Sequence, residues 1–178
     1  PYTSQAESAL ARAVMENRPY SVLEDSGESR YYTQIAWSND GHYIAAGQVF
    51  QEDIAVIWDA ATHQVVQRIP MEAEKAGECV TGGIAWSSDG DQLLTSVSHS
   101  NVLYCNAIQI WDRESGNLLL TLAGYGDGII IDVSWSPDET TVLALFADGT
   151  ARLWDISAYQ QISNAMLSSN DPLTLTEN

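Results

Sequence analysis

Basic residues are scarce in this chain of 178 residues, which holds seven Lys and Arg against 24 Asp and Glu. The formal net charge is therefore −17 at neutral pH. A surface of this charge repels polyanions, so neither nucleic acid nor an anionic membrane surface is an expected partner. The charge favours solubility, and it suits a basic protein or peptide as partner.

Cysteine and long apolar runs are also scarce. Cys79 and Cys105 are the only cysteines, and no Asn-x-Ser/Thr glycosylation acceptor occurs. We therefore expect two small buried side chains without a disulfide framework, in a cytoplasmic, reducing setting. No apolar run reaches the roughly 18 residues of a membrane span, and the N-terminus lacks a secretory signal pattern. The chain begins at Pro1, from which we expect a piece of a longer protein.

Two short phrases recur three times in the same order along the chain. The first reads IAWSNDG, IAWSSDG and VSWSPDE, and its tryptophans are 49 residues apart. The second reads VIWD, QIWD and RLWD. Both phrases together use all six tryptophans, at Trp37, Trp86 and Trp135 and at Trp58, Trp111 and Trp154. Such self-similarity at a fixed period indicates a repeat architecture.

Each unit reads as four short strands, a to d, separated by turn residues such as Ser-Asn-Asp-Gly. In the third unit, strand d is predicted over residues 159–163. Strand c of the first unit, residues 54–58, is apolar on both of its faces, so its sheet must be covered on two sides. Four-stranded sheets stacked radially provide this cover, which predicts an all-β fold.

The closing Trp-Asp pairs and the SPDG-like turns resemble the WD-repeat β-propeller family over residues 20–165. The resemblance implies a partial β-propeller of three four-stranded blades, at about residues 29–70, 76–123 and 126–165. It also implies that Asp148 is the buried acid that supports the Trp of its blade. The family's Gly-His pair before strand a is missing, so the repeats are divergent. The structural residues implied in this way are Trp58, Asp59, Trp111, Asp112, Asp148, Trp154 and Asp155.

Linkers are expected outside the blades. The Ser-x-x-Glu spacing at Ser4 and an apolar stripe predict a helix over residues 4–16, within a lead-in of residues 1–19. Residues 20–23 read as an orphan outer strand, and residues 166–178 as a polar tail. The lead-in resembles the segment before WD repeats in large bacterial signalling proteins. A regulatory or sensor domain of a signalling NTPase or kinase is therefore kept as an alternative function.

An open arc of three blades leaves apolar outer faces uncovered. Propellers have about four to eight blades. We therefore expect the remaining blades of the same chain, or further copies, to close the ring.

No converging catalytic or metal-binding set is visible in the sequence. The three histidines fall at opposite ends of the expected strands, so no metal site is expected. No cofactor is expected either, because the glycine run at residues 124–128 meets neither phosphate-loop template. Asp132 interrupts an innermost strand and is a candidate channel-lining residue, although a locally hydrogen-bonded structural Asp explains it more simply. We expect a non-catalytic protein. Part of a propeller enzyme, with its site in other blades, stays open as an alternative.

The loops of the d-to-a and b-to-c connections are the candidate binding surface, because exposed loops on a scaffold commonly carry binding. The loops hold aromatic groups flanked by acids, which suits a protein or a basic peptide, and a solvated rim explains the same residues. We expect a protein-protein interaction scaffold. The candidate partner-binding residues are Glu52, Asp53, Glu72, Glu74, Lys75, Glu78, His99, Tyr104, Tyr125 and Asp127.

Overall fold

The computed structural model describes residues 8, 12, 21–23, 31–48, 53–70, 79–98, 106–123 and 128–160. Strands dominate this part of the chain. In chain order they are β1 (Tyr32–Trp37), β2 (Tyr43–Gln48), β3 (Asp53–Asp59), β4 (Val65–Pro70), β5 (Val80–Trp86), β6 (Gln92–Ser98), β7 (Ala107–Asp112), β8 (Leu118–Ala123), β9 (Ile130–Trp135), β10 (Thr141–Phe146) and β11 (Ala151–Asp155).

The three predicted blades are confirmed as three antiparallel sheets. The first blade has the order β1-β2-β3-β4 and the second has the order β5-β6-β7-β8. The third contains β9, β10 and β11. The tryptophans recur at the ends of the first and third strands of each sheet, so the 49-residue repeat of the sequence is also the repeat of the fold.

The fourth strand predicted for the third blade, residues 159–163, is wrong in its described part. Residues 157–160 form a short helix instead. Asp155 ends β11, and its Oδ1 accepts the backbone N–H of Ser157 at 2.9 Å. An Asp at this position caps a helix N-terminus, and the next residue, Ile156, is buried against the sheets. These local contacts favour a helix over a strand at residues 157–160.

The segments before and after the blades are described only in part. Of the helix predicted over residues 4–16, Ser8 and Arg12 are described, and both are helical. The predicted tail, residues 166–178, lies outside the described residues. Within the described ranges, no helix combines the length and the apolar character needed to cross a membrane.

Two apolar layers join the blades face to face. Leu93 and Leu94, neighbours on β6, point to opposite sides of the second blade, and both are fully buried. The burial of β3 confirms the two-sided cover predicted for strand c of the first unit. The layer between the first and second blades includes Ala45, Ile57, Ile84, Trp86 and Trp111. The layer between the second and third blades includes Leu94, Ile110, Ile130, Val133 and Phe146.

The innermost strands approach one another closely, with β5 in contact with both β1 and β9. Gly82 and Gly83 of β5 allow this approach. A Cβ atom at Gly83 would lie 2.5 Å from the backbone nitrogen of Val133 and 2.8 Å from Cα of Asp132. The second and third blades therefore meet backbone to backbone at this point, where only glycine fits.

Cys79 precedes β5 and is buried, as expected, but it is disulfide-bonded. The expectation of a chain without disulfides is therefore wrong. Cys105, the only other cysteine of the sequence, lies outside the described residues. Linear spacing carried no signal for this bond, because a disulfide depends on the Cα separation that the fold creates.

The backbone contact at Gly83 predicts the effect of a single methyl group. Gly83→Ala should lower the free energy of unfolding by about 1–3 kcal/mol, because the two strands must separate to admit the Cβ. Urea denaturation measures this loss. Thr121→Ala, at an exposed position of β8 in the same blade, is the matched control and should cost about 0.5 kcal/mol or less. Equal stability of the Gly83→Ala chain and the wild type would contradict the close approach.

Candidate binding surfaces

The antiparallel order of the strands divides the connections of the blades between two ends. The connections from β2 to β3 and from β4 to β5 leave from one end, which we call the loop end, as do their counterparts in the second blade. All but one of the candidate partner-binding residues belong to these connections and lie outside the described residues. They are Glu52, Glu72, Glu74, Lys75, Glu78, His99, Tyr104, Tyr125 and Asp127, and their binding role stays a prediction.

Asp53, the remaining candidate, is the first residue of β3. Its Oδ2 lies 3.2 Å from Nη1 of Arg68 on the paired strand β4, and both side chains are largely withdrawn from solvent. The ion pair joins β3 to β4 where they meet the loop end. The described contact of Asp53 thus lies within the first blade, and its binding role also stays a prediction.

Asp132 lies on β9, one of the innermost strands, and it is exposed. Its Oδ1 accepts the backbone N–H of Val133 at 2.9 Å, which is the kind of local hydrogen bond expected of a structural Asp. In the described part of the chain, no three His, Cys, Asp or Glu side chains come together in a way that could hold a metal ion.

Asp148 stabilises the turn between β10 and β11 at the loop end. Its Oδ1 accepts hydrogen bonds from Oγ1 of Thr150 at 2.6 Å and from the backbone N–H of the same residue at 2.8 Å. These bonds hold the pKa of Asp148 below its usual value. The side chain is 46% exposed, and its Oδ2 lies 3.4 Å from Nη2 of Arg152. The buried position implied by the family resemblance is therefore wrong, because this Asp forms an Asx turn with its own neighbours.

The opposite end of the blades, which we call the turn end, repeats one arrangement three times. In the first turn of each blade, a Ser hydroxyl donates to an Asp carboxylate two residues further on, at 2.6 Å. The same hydroxyl oxygen accepts a backbone N–H from the start of the next strand. These Ser-Asp pairs, Ser38–Asp40, Ser87–Asp89 and Ser136–Asp138, account for the SPDG-like phrases of the sequence.

The Asp of the first two Trp-Asp pairs caps the second turn of its blade. Oδ1 of Asp59 accepts the backbone N–H of Thr62 at 2.7 Å and its hydroxyl at 2.8 Å. Asp112 accepts the backbone N–H of Ser115 at 2.7 Å and its hydroxyl at 2.5 Å. The Asp of the third pair caps the short helix that follows β11. Each of these acids therefore acts within the fold.

The Trp of each pair lies near or within the apolar layers. Trp58 and Trp111 are buried, and Nε1 of Trp111 donates to Oγ1 of Thr95 in the same blade at 2.9 Å. Trp154 is partly buried against the second layer, with its ring stacked on Phe146 at a centroid separation of 6.3 Å. These contacts explain why the phrase recurs at the same place in each sheet.

Polar contacts join neighbouring blades at the turn end. Nδ2 of Asn39 donates to the carbonyl oxygen of Ser88 at 3.4 Å, and the backbone N–H of Ser88 donates to Oε1 of Glu139. The guanidinium of Arg113 lies 4.5 Å from the ring centroid of Tyr43 in the first blade. These residues carry no signal in the sequence, because none of them recurs at equivalent positions in all three units.

Apolar side chains are exposed on the outer faces of the first and third blades, as an open arc predicts. Ile35 and Trp37 of β1 are 67% and 58% exposed. On the third blade, Leu143 and Leu153 are 40% and 70% exposed. Apolar patches of this kind on the outer faces are normally covered in soluble proteins.

Leu23 covers part of the outer face of the first blade. It packs against the buried cluster of Ala46, Val56 and Trp58. Residues 21–23 are not in a strand, so the predicted outer strand is not formed in its described part. A groove of about 320 Å³ lies beside Leu23, over Trp58 and the start of β1.

Comparison with known proteins agrees with this geometry. The family model "WD domain, G-beta repeat" matches residues 116–155. WD repeat-containing protein 1 of Bos taurus is 28% identical over 176 residues, which cover 76% of this chain and 28% of that protein. WD repeat-containing protein 82 of Drosophila melanogaster is 28% identical over 130 residues, which cover 72% of this chain and 38% of that protein. The chain spans well under half the length of these relatives.

A solved structure has the same fold. The crystal structure of the Myceliophteria thermophila Cps50 (Swd1) β-propeller domain matches with a TM-score of 0.58 at 19% identity, covering 75% of this chain and 38% of that chain. The chain carries WD repeats and folds as part of a β-propeller. WD-repeat propellers are generally non-catalytic platforms that bind proteins, and they need a full ring of blades.

The turn that follows β3 predicts a lowered pKa for Asp59, which can be measured by titration. Hydrogen bonds from Thr62 hold the pKa of Asp59 below its usual value. The ionised Asp59 therefore stabilises the fold fully above the unfolded pKa of about 3.9, and this contribution is lost as the pH falls through the lower folded pKa. Thr62→Val removes one donor, so the pKa of Asp59 should rise toward its usual value.

Carboxyl carbon chemical shifts measured against pH by NMR report this titration. Thr140→Val, which removes a donor to Asp138 in another turn, is the matched control and should leave the midpoint of Asp59 unchanged. An identical midpoint for Asp59 in the wild type and in the Thr62→Val chain would refute the role of the hydroxyl.

Proposed function

We propose that this WD-repeat chain is a non-catalytic scaffold that binds a protein or a basic peptide through its loop end. The observation that carries the proposal is topological. Antiparallel strands direct five connections to one end of three sheets that pack face to face. Loops held together in this way on a packed scaffold commonly carry binding.

Charge supports a basic partner. The chain has a net charge of −17, and the connection of residues 71–78 contains three Glu and one Lys. Asp148 adds an exposed carboxylate at the same end, and its lowered pKa keeps it ionised at neutral pH. Tyr104 and Tyr125 supply aromatic groups of the kind enriched in protein interfaces. Such a surface draws a cationic segment and orients it.

The WD-repeat propellers that this chain resembles are generally non-catalytic, which supports a non-catalytic role. An active site needs acids, bases or metal ligands that meet around one reacting atom. Asp132 is the acid on the innermost strand β9, and it is hydrogen-bonded to its neighbour's N–H. His42 pairs with Asp40 at 3.1 Å in an exposed turn, as an ordinary turn histidine does.

The location of the protein stays a prediction. The sequence led us to expect the cytoplasm, whereas the disulfide at Cys79 favours an oxidising compartment, since cytosolic thiols are kept reduced. The proposed binding mode requires neither location, because it depends on charges that are present in both.

Charge reversal at the loop end tests the proposal. Glu72→Lys combined with Glu74→Lys should weaken binding of a labelled peptide of alternating Lys and Ala by about tenfold, because two attractive charges become repulsive. Added salt should weaken binding to the wild-type chain, since exposed charges are screened. Fluorescence anisotropy titrations measure both effects.

Asp91→Lys combined with Glu114→Lys is the matched control. It makes the same change of net charge at the turn end and should weaken binding much less. Equal losses in the two variants would show attraction by net charge alone and would contradict a loop-end site, as would peptide binding that salt leaves unchanged.

A further inference from the structure

The outer edge of the second blade, which we call the β8 edge, carries no protective charge. Its strand β8 pairs with β7 on one side, and no strand of the described ranges pairs with its other side. Residues 117–124 read NLLLTLAG, without a charged residue or a proline. Leu118 and Leu119 are 42% and 41% exposed. Sheet edges are normally protected by charges or proline, because their free backbone groups recruit other strands.

The first blade has a protected strand at the equivalent place. Its outermost strand, β4, ends at Pro70, which cannot donate a hydrogen bond to an added strand. Arg68 also places a charged side chain on β4. The two protective features of β4 are therefore the ones that β8 lacks.

Contacts between blades do not cover the β8 edge. The second blade already has a neighbour on each flank, and both of its apolar layers are formed. Its innermost strand, β5, contacts β1 and β9, whereas β8 is at the other end of the sheet order. Blades stack flank to flank around the ring axis, so the β8 edge lies outside these contacts whatever the number of blades.

Charge indicates which kind of strand suits this edge. Before β8, the guanidinium of Arg113 is engaged by Asp91 at 3.4 Å and by the ring of Tyr43 at 4.5 Å. The next residue, Glu114, has an exposed side chain. A second copy of the chain would bring a further charge of −17, which opposes pairing of two β8 strands. A basic strand is attracted instead.

We propose that the β8 edge is a docking site for an extended, basic segment of a partner protein. The segment would pair with β8 as a fifth strand of the second blade, and its backbone hydrogen bonds would supply affinity. Its apolar side chains would lie beside Leu118 and Leu119, and a Lys or Arg at one end would approach Glu114. The proposal does not rest on the proposed function, because the β8 edge is separate from the loop end.

Titration with a labelled hexapeptide of alternating Lys and Val tests the proposal. The wild-type chain should bind it, and Leu119→Lys should weaken binding by about tenfold, because the new charge protects the edge and repels the peptide. Val66→Lys on β4 is the matched control and should weaken binding much less. Both changes replace an exposed apolar side chain of an outer strand with Lys, so neither disturbs the core.

Backbone pairing has a signature that charge alone does not produce. Alternate residues of an extended peptide direct their N–H groups to opposite edges. Two hexapeptides that are N-methylated at odd or at even positions have the same charge, and only the one that keeps the N–H groups facing β8 should bind. In the complex, alternate amides of β8 should exchange hydrogen at least about tenfold more slowly, as measured by NMR.

Four outcomes would overturn the proposal. They are equal losses in Leu119→Lys and Val66→Lys, equal binding of the two N-methylated peptides, β8 amides that are equally protected in the free chain, and self-association of the wild type that Leu119→Lys abolishes. Glu72→Lys with Glu74→Lys changes the loop end and should leave the slower exchange of β8 at saturating peptide unaltered. Failure of one proposal is therefore distinguishable from failure of the other.

Discussion

Face-to-face burial between neighbouring sheets is the constraint on which the rest of this structure depends. Each sheet is apolar on two sides. In the second blade both sides are covered by neighbouring blades, with Leu93 and Leu94 fully buried on opposite faces. Because burial of both faces of such a sheet needs a neighbour on each side, the blades stack. Stacking in turn aligns the strand ends, which places the connections at two ends where turns and loops are formed.

The repeat of the fold could be predicted because burial on two faces leaves a mark in the sequence. Trp37, Trp86 and Trp135 are evenly spaced because each ends the innermost strand of a sheet. The turns were equally readable, since Ser-x-Asp pairs form local hydrogen bonds that need no distant partner. Local chemistry and periodicity were therefore sufficient for the architecture.

Features that depend on contacts between distant residues could not be predicted. The cation-π contact of Arg113 with Tyr43 forms only once the first two blades have assembled. The disulfide at Cys79 depends on a Cα separation that only the fold creates. The prediction for Asp148 was wrong for another reason. The family pattern implies a buried carboxylate, whereas this carboxylate accepts hydrogen bonds from the neighbouring Thr150 in an exposed turn. Most of the candidate binding residues lie outside the described residues, so the binding role proposed for the loop end rests on topology and sequence charge alone.

The most direct test of face-to-face packing is a double-mutant cycle across the first apolar layer. Ile57 and Ile84 belong to different blades and to the same buried cluster, whereas Ile130 belongs to the second layer. Face-to-face packing predicts a coupling free energy of about 0.5 kcal/mol or more between Ile57→Val and Ile84→Val in urea unfolding, and additive effects for Ile57→Val with Ile130→Val. Additivity in the first pair would contradict the packing of the blades described above.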